Sequence, residues 1–268
     1  IQQRSELEQR ARVIAGNNII NAFFMVAAIG LTAGLRKLGL SFPEVFGVMA
    51  FLNGLVAIYI YTLIPEFFLR FVAYMLTHCI YRLKVVGEEK IPHDGGMVLV
   101  CNHVSSVGWL VVMAAVRRPV NLVMWYTYAE LPVLKFLFRG AGVIPISSAR
   151  LRPKVLHQAF LTIKEYLDGG RLICIFPEGQ ITKNGQMNKF RNGVEKMVED
   201  SPVPVIPMAL RGLWGSNFSR HKGGFWRRFL RRPLRSKIEV VFGDPIPPQE
   251  VKAEELQEIV TRLRGDRL

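Results

Sequence analysis

The chain has 268 residues, half of them hydrophobic, and carries a formal net charge of +14. That length allows one large domain or a smaller domain with an appendage. Apolar content joined to a cationic excess suits an enzyme at a membrane surface better than one free in the cytosol; the charge would meet anionic lipid, nucleic acid or an acidic protein. The three cysteines, Cys79, Cys101 and Cys174, sit in apolar runs without CxxC spacing. They read as buried reduced thiols and speak against a disulfide framework or a thiolate zinc site.

The charged lead that opens at Ile1 runs into a full-length apolar span, not the short core of a cleaved signal peptide, so the chain reads as a piece of a longer protein. The first span covers Val13 to Leu35 and is interrupted by Asn17, Asn18 and Asn21; Arg36, Lys37 and a Ser41-Phe42-Pro43 turn lead to a second span from Val45 to Ile64. Each approaches the roughly 20 residues that cross a bilayer core. Gly30, Gly34, Gly47 and Gly54, with the asparagines, suit faces packed on other membrane helices. Arg4, Arg10 and Arg12 before the first span and Arg70, Arg82 and Lys84 after the second outnumber Arg36 and Lys37 between them, which puts both ends on the cytoplasmic side. Residues 1–65 are thus predicted to hold two transmembrane helices. Residues 66–82, apolar and aromatic, read as an interfacial helix leading into a domain over 83–268.

From Leu83 onward short apolar runs alternate with helical patterns. Strands are predicted at Leu83–Val86, Met97–Cys101, Leu122–Trp125, Val143–Ile146, Leu172–Phe176, Val205–Leu210 and Ile238–Phe242. Val155, Leu156, Ala159, Phe160, Ile163 and Leu167 follow the spacing of a buried helix face, closed by Asp168-Gly169-Gly170; a last amphipathic helix shows Leu256, Ile259, Val260 and Leu263 on one side. The fold class is α/β, with a mostly parallel or mixed sheet flanked by helices.

Four stretches at strand ends carry candidate chemistry: Asn102-His103 with Ser105; Gly142 to Ile146 with Arg150; Phe176-Pro177-Glu178-Gly179-Gln180 continuing through Thr182 and Lys183; and Val203 to Pro207. Open α/β sheets place their sites at the carboxyl ends of strands, and a histidine there is the side chain suited to take a proton near neutral pH. A carboxylate between Pro177 and Gly179 at the end of an apolar strand is poorly explained by packing. Ser105 either caps the following helix or stands near the site, and Arg150 is either a solvated loop charge or a ligand for an anion. The histidines are scattered without ligand spacing, so no metal is expected. No Gly-x-Ser-x-Gly elbow and no Gly-x-x-x-x-Gly-Lys loop occurs, which argues against a serine hydrolase and a nucleotide hydrolase.

In this order and spacing the stretches resemble the glycerolipid acyltransferase family, with its Asn-His-four-residues-Asp and Phe-Pro-Glu-Gly motifs, over about residues 83 to 245. Glu178-Gly179-Gln180-Ile181-Thr182 with Gly185-Gln186-Met187 and Phe190 is similar to the branch that reacylates lysophospholipids such as 2-acyl-glycerophosphoethanolamine. That branch is often fused behind a lysophospholipid transporter of the major facilitator type, and residues 1–65, with Arg12 to Asn18, look like its last two helices. The resemblance implies a multi-pass protein of the bacterial inner membrane with its catalytic domain cytoplasmic. It implies acyl transfer from an acyl thioester, acyl carrier protein or coenzyme A, to a lysophospholipid, with no bound cofactor. His103 would act as base. Asn102, Ser105, Arg150, Glu178, Gly179, Gln180, Thr182 and Lys183 would line the substrate.

Two positions depart from the family. Ile181 stands where many relatives carry a phosphate-binding arginine, leaving Lys183 or Arg150 for that contact. Gly108 stands where the motif has the aspartate that orients the histidine, a carboxylate whose neutralisation costs on the order of 10⁴-fold in serine proteases. The expectation is a fold formed for acyl transfer with activity low or absent. The alternatives are a 1-acylglycerol-3-phosphate acyltransferase and a non-catalytic lysolipid-binding module. Finally, Arg220 to Arg232 interleaves cations with aromatics; membrane-surface docking fits it better than nucleic acid, and an acidic acyl carrier protein suits the same face.

Overall fold

A computed structural model describes residues 10–63, 65–130, 138, 141–216, 218–219 and 236–266. The basic and aromatic stretch from Arg220 to Arg232 lies outside the described residues. The chain divides into two units, residues 1–63 and 64–268.

The first unit holds α1 (Arg10–Lys37) and α2 (Phe42–Leu63). Their apolar side chains stand open, Ile19, Phe23 and Ile29 on one helix and Phe46, Phe51 and Ile58 on the other. Both contain stretches long and apolar enough to cross a membrane, Ile14–Lys37 and Phe42–Ile60. At the turn between them Glu44 reaches back to accept from the backbone N–H and the hydroxyl of Ser41, each at 2.7 Å.

The second unit opens with α3 (Pro65–Ile80), which runs into β1 (Tyr81–Val86) without a connecting residue. Leu69, Ala73 and Thr77 turn inward, while Phe71, Tyr74, Met75 and Leu76 are exposed. Arg70 ties the helix to the chain that follows α4 (Gly108–Ala115), donating to the carbonyls of Val116 at 3.0 Å and Arg117 at 2.7 Å. Cys79 is exposed, against the expectation that it is buried, because α3 turns only one face to the sheet; Cys101 and Cys174 are buried as expected.

The remaining strands are β2 (Met97–Cys101), β3 (Val120–Trp125), β4 (Ile144–Ile146), β5 (Leu172–Ile175), β6 (Val205–Arg211) and β7 (Ser236–Phe242). They form one seven-stranded sheet in the order β1-β7-β6-β2-β5-β3-β4. Every pairing is parallel except β6 with β7, so the sheet is mixed. A central strand of such a sheet is covered on both faces and reads as a continuous apolar run. In β2, Met97, Leu99 and Cys101 enter the core shared with α3 and α4. Val98 and Val100 enter the opposite core, built with α6 (Pro153–Asp168), α7 (Gly193–Asp200) and α8 (Ala253–Arg264). The short α5 (Tyr126–Ala129) follows β3 directly.

Candidate active site

β2 and β5 are neighbours, with Val100 opposite Ile175, so the segments that leave their carboxyl ends emerge side by side. One begins Asn102-His103 and the other Phe176-Pro177-Glu178. The His103 imidazole stacks on the Phe176 ring with centroids 4.4 Å apart and planes at 26°. Both side chains are half-buried.

The backbone of His103 is held from two sides by the second segment. Its N–H donates to Glu178 Oε1 at 2.6 Å, and its carbonyl accepts from the Thr182 N–H at 3.0 Å. The other Glu178 oxygen accepts from the Asn188 N–H at 2.7 Å and the Asn188 side-chain amide at 2.8 Å. Glu178 is 2% exposed, and burial pushes its carboxyl above the ordinary glutamate value; the hydrogen bonds from His103 and Asn188 and the charge of Arg264 pull the other way. The carboxylate that the sequence places toward substrate thus makes its three hydrogen bonds to the chain itself. Thr182 is buried as well: its hydroxyl donates to the Gln186 carbonyl and accepts from the Gly185 N–H at 3.1 Å, closing the 182–186 loop.

Asn102 is fully buried. Its amide donates to the Leu210 carbonyl at 3.1 Å and its oxygen accepts from the Leu210 N–H at 2.7 Å, so one side chain prolongs the pairing of β2 with β6. The Ser105 hydroxyl donates to the Phe218 carbonyl at 3.2 Å, and Ser106 reaches the same oxygen through its hydroxyl at 2.9 Å. Val107, not Ser105, is the N-cap of α4. Gly179 adopts a left-handed φ of +66°, and its N–H closes the turn on the Phe176 carbonyl at 3.0 Å. Gln180, Lys183 and Arg150 face solvent.

Gly108 is the first residue of α4. A Cβ there would lie 3.1 Å from Leu210 Cδ1 and 3.9 Å from the edge of the Phe176 ring, the ring on which His103 stacks. A side chain here would start against the movable end of a leucine and the edge of that ring; glycine supplies neither charge nor acceptor.

Asn188 and Arg191 also belong to this cluster, although neither sits in a stretch with a recognisable pattern. The cue is the polar run Asn188-Lys189-Phe190-Arg191-Asn192 wedged between a glycine turn and a helix, with Phe190 fully buried inside it.

Residues 82–211 match the Acyltransferase family model. The match covers just under half of the chain. The sheet, its flanking helices and the two apolar helices before it match the crystal structure of the 1-acyl-sn-glycerophosphate acyltransferase PlsC from Thermotoga maritima, with a TM-score of 0.56 at 20% identity over 88% of this chain and 95% of that one. A probable 1-acyl-sn-glycerol-3-phosphate acyltransferase of Mycoplasma pneumoniae is 24% identical over 62% of this chain and 62% of its own length. A 1-acyl-sn-glycerol-3-phosphate acyltransferase of Pseudomonas aeruginosa is 28% identical over 60% of this chain and 58% of its own length. The chain thus spans about three-fifths of the length of these curated relatives. The matched residues include the strand-end His103 and Glu178, with Gly108 between them in sequence.

Proposed function

We propose that the protein transfers a fatty acyl group from an acyl thioester to the free hydroxyl of a lysophospholipid at a membrane surface. His103 removes the hydroxyl proton as the oxygen attacks the thioester carbonyl. Collapse of the tetrahedral adduct expels the thiolate, which takes the proton back from the imidazolium, leaving an ester, a free thiol and neutral His103. The observation that carries this reading is the grip of Glu178 and Thr182 on both main-chain groups of His103, which fixes an imidazole where two strand ends meet. Glu178 acts in it as a positioning residue. Lys183 and Arg150, both exposed, are the cations this reading assigns to the headgroup phosphate.

The relatives' names favour a 1-acylglycerol-3-phosphate acceptor. Ile181, in place of the arginine of many family members, favours a larger headgroup such as that of 2-acyl-glycerophosphoethanolamine. The donor is an acyl carrier protein or coenzyme A thioester, the domain faces the cytoplasm of a bacterial inner membrane, and residues 1–65 are the tail of a transporter-like module. Gly108 supplies no carboxylate where the family motif has its orienting aspartate, so the chain as it stands is slow or inactive.

The test is release of free thiol from palmitoyl thioesters of coenzyme A and acyl carrier protein, with lysophosphatidate or lysophosphatidylethanolamine as acceptor, before and after Gly108→Asp. Lysolipid-dependent thiol release by G108D, lost on further His103→Ala, is expected. Release indifferent to His103 sinks the mechanism. Lysolipid binding without thioester consumption by either protein points instead to a non-catalytic binding module.

A further inference from the structure

The turn that carries Glu178 also seats a cation. An ideal Cβ on Gly179 would fall 2.8 Å from Arg191 Cζ and 2.9 Å from Arg191 Nε, so the guanidinium lies against the bare Cα of the glycine. The Arg191 N–H donates to the Pro177 carbonyl at 3.0 Å, which pins its backbone to the same turn. Glycine at 179 thus serves two needs, a left-handed φ and a flat surface for the guanidinium. Such a turn brings its first and fourth residues within about 7 Å, and its first residue, Phe176, is the platform under His103.

The charge of Arg191 is not committed within the described residues. The ion pairs there do not include it, and the cation acting on Glu178 is Arg264. The side chain is exposed, yet its path is set by the glycine beneath it. An exposed guanidinium on the turn that begins at the imidazole's platform, Phe176, matches the paired oxygens of a phosphate, which a rigid fork binds better than a flexible ammonium does.

We infer that Arg191 binds a phosphate oxyanion of a substrate of this site, setting the distance between that phosphate and His103. The inference rests on the acyl-transfer reading, in which phosphate has two sources: the lysolipid acceptor and the nucleotide or pantetheine arm of the donor.

Binding of four ligands to the full chain in detergent micelles tests it: lysophosphatidate against monoacylglycerol, and palmitoyl-coenzyme A against palmitoyl-N-acetylcysteamine. Arg191→Gln should weaken one phosphate-bearing ligand about tenfold and leave its phosphate-free counterpart unchanged. The affected pair identifies the source. Arg191→Lys should recover part of the loss, and Gly179→Ala, whose Cβ displaces the guanidinium, should reproduce it with Arg191 in place. Equal affinities for all four ligands in the unmodified chain and R191Q overturn the inference and leave acyl transfer standing. No binding of any ligand by the unmodified chain removes both.

Discussion

Glu178 accepts the backbone N–H of His103 at 2.6 Å across 75 residues of sequence, so the imidazole is placed through its main chain by a carboxylate that does not touch its ring. Glu178→Gln replaces one acceptor oxygen with an NH₂ group that must face an N–H donor. A buried donor left unsatisfied costs about 1–3 kcal/mol, and E178Q should lose about that much stability and, when combined with Gly108→Asp, most of the acyl transfer of that variant. Denaturant unfolding alongside thiol release measures both. Full activity in the destabilised double variant would show that the clamp does not position the histidine.

The same residue makes stability depend on pH in a definite direction. Burial raises the Glu178 carboxyl above its ordinary value, so there is a window in which the folded chain keeps a proton that the unfolded chain has lost. Its contribution is fully present below the ordinary glutamate range and is lost as pH rises through the raised value. E178Q should remove this slope. Unfolding midpoints of the two proteins across mildly acidic pH should therefore differ in trend as well as in level.

Gly108→Asp should raise thiol release by roughly 10³–10⁴-fold, on the scale of the orienting carboxylate in serine proteases. The new Cβ needs Leu210 Cδ1, 3.1 Å away, to yield by a few tenths of an ångström. An acid in the first turn of α4 also suits the helix dipole. Gly108→Ala is the control: it fills the same space without a charge and should leave the rate where it was.

Asn102 and Leu210 test whether a motif residue serves the sheet or the substrate. Asn102→Ala strands a buried donor and a buried acceptor of Leu210, and should cost about 2–4 kcal/mol by the usual penalty for such groups. Asn102→Asp keeps the acceptor for the Leu210 N–H but sets an oxygen against its carbonyl. A change in KM for the lysolipid with unaltered stability would assign Asn102 to substrate instead.

The cysteines report on the surface of α3. Burial pushes the Cys101 and Cys174 thiols up and closes them off, whereas Cys79 is exposed beside Met75 and Leu76. At neutral pH an alkylating reagent should modify Cys79 alone, and phospholipid vesicles should slow that reaction if α3 lies in the interface. Equal labelling with and without vesicles would place this face in water.

The strands were legible because each central one is a short run buried on both faces, and Met97–Cys101 needs no correction at either end. The edge was less so. β1 begins at Tyr81 and β7 at Ser236, each two residues before its apolar run, because the added residues pair through their backbones, Tyr81 with Ser236 and Arg82 with Lys237, and backbone pairing leaves no mark in hydropathy. In the site, the motifs identified which residues gather but not what their atoms bond. Glu178 and Asn102 are read as lining substrate, and the structure adds what hydropathy does not show, main-chain partners 75 and 108 residues distant. Arg191 was hidden because its meaning depends on the glycine under it.

The junction of α3 and β1, Ile80 followed at once by Tyr81, leaves no slack between helix and sheet. With Arg70 stapled to the carbonyls beyond α4, the helix is fastened along its length as well as at its end. A load on its outer face is therefore not absorbed by a hinge; it twists the sheet edge, and the strand first to feel it is β1.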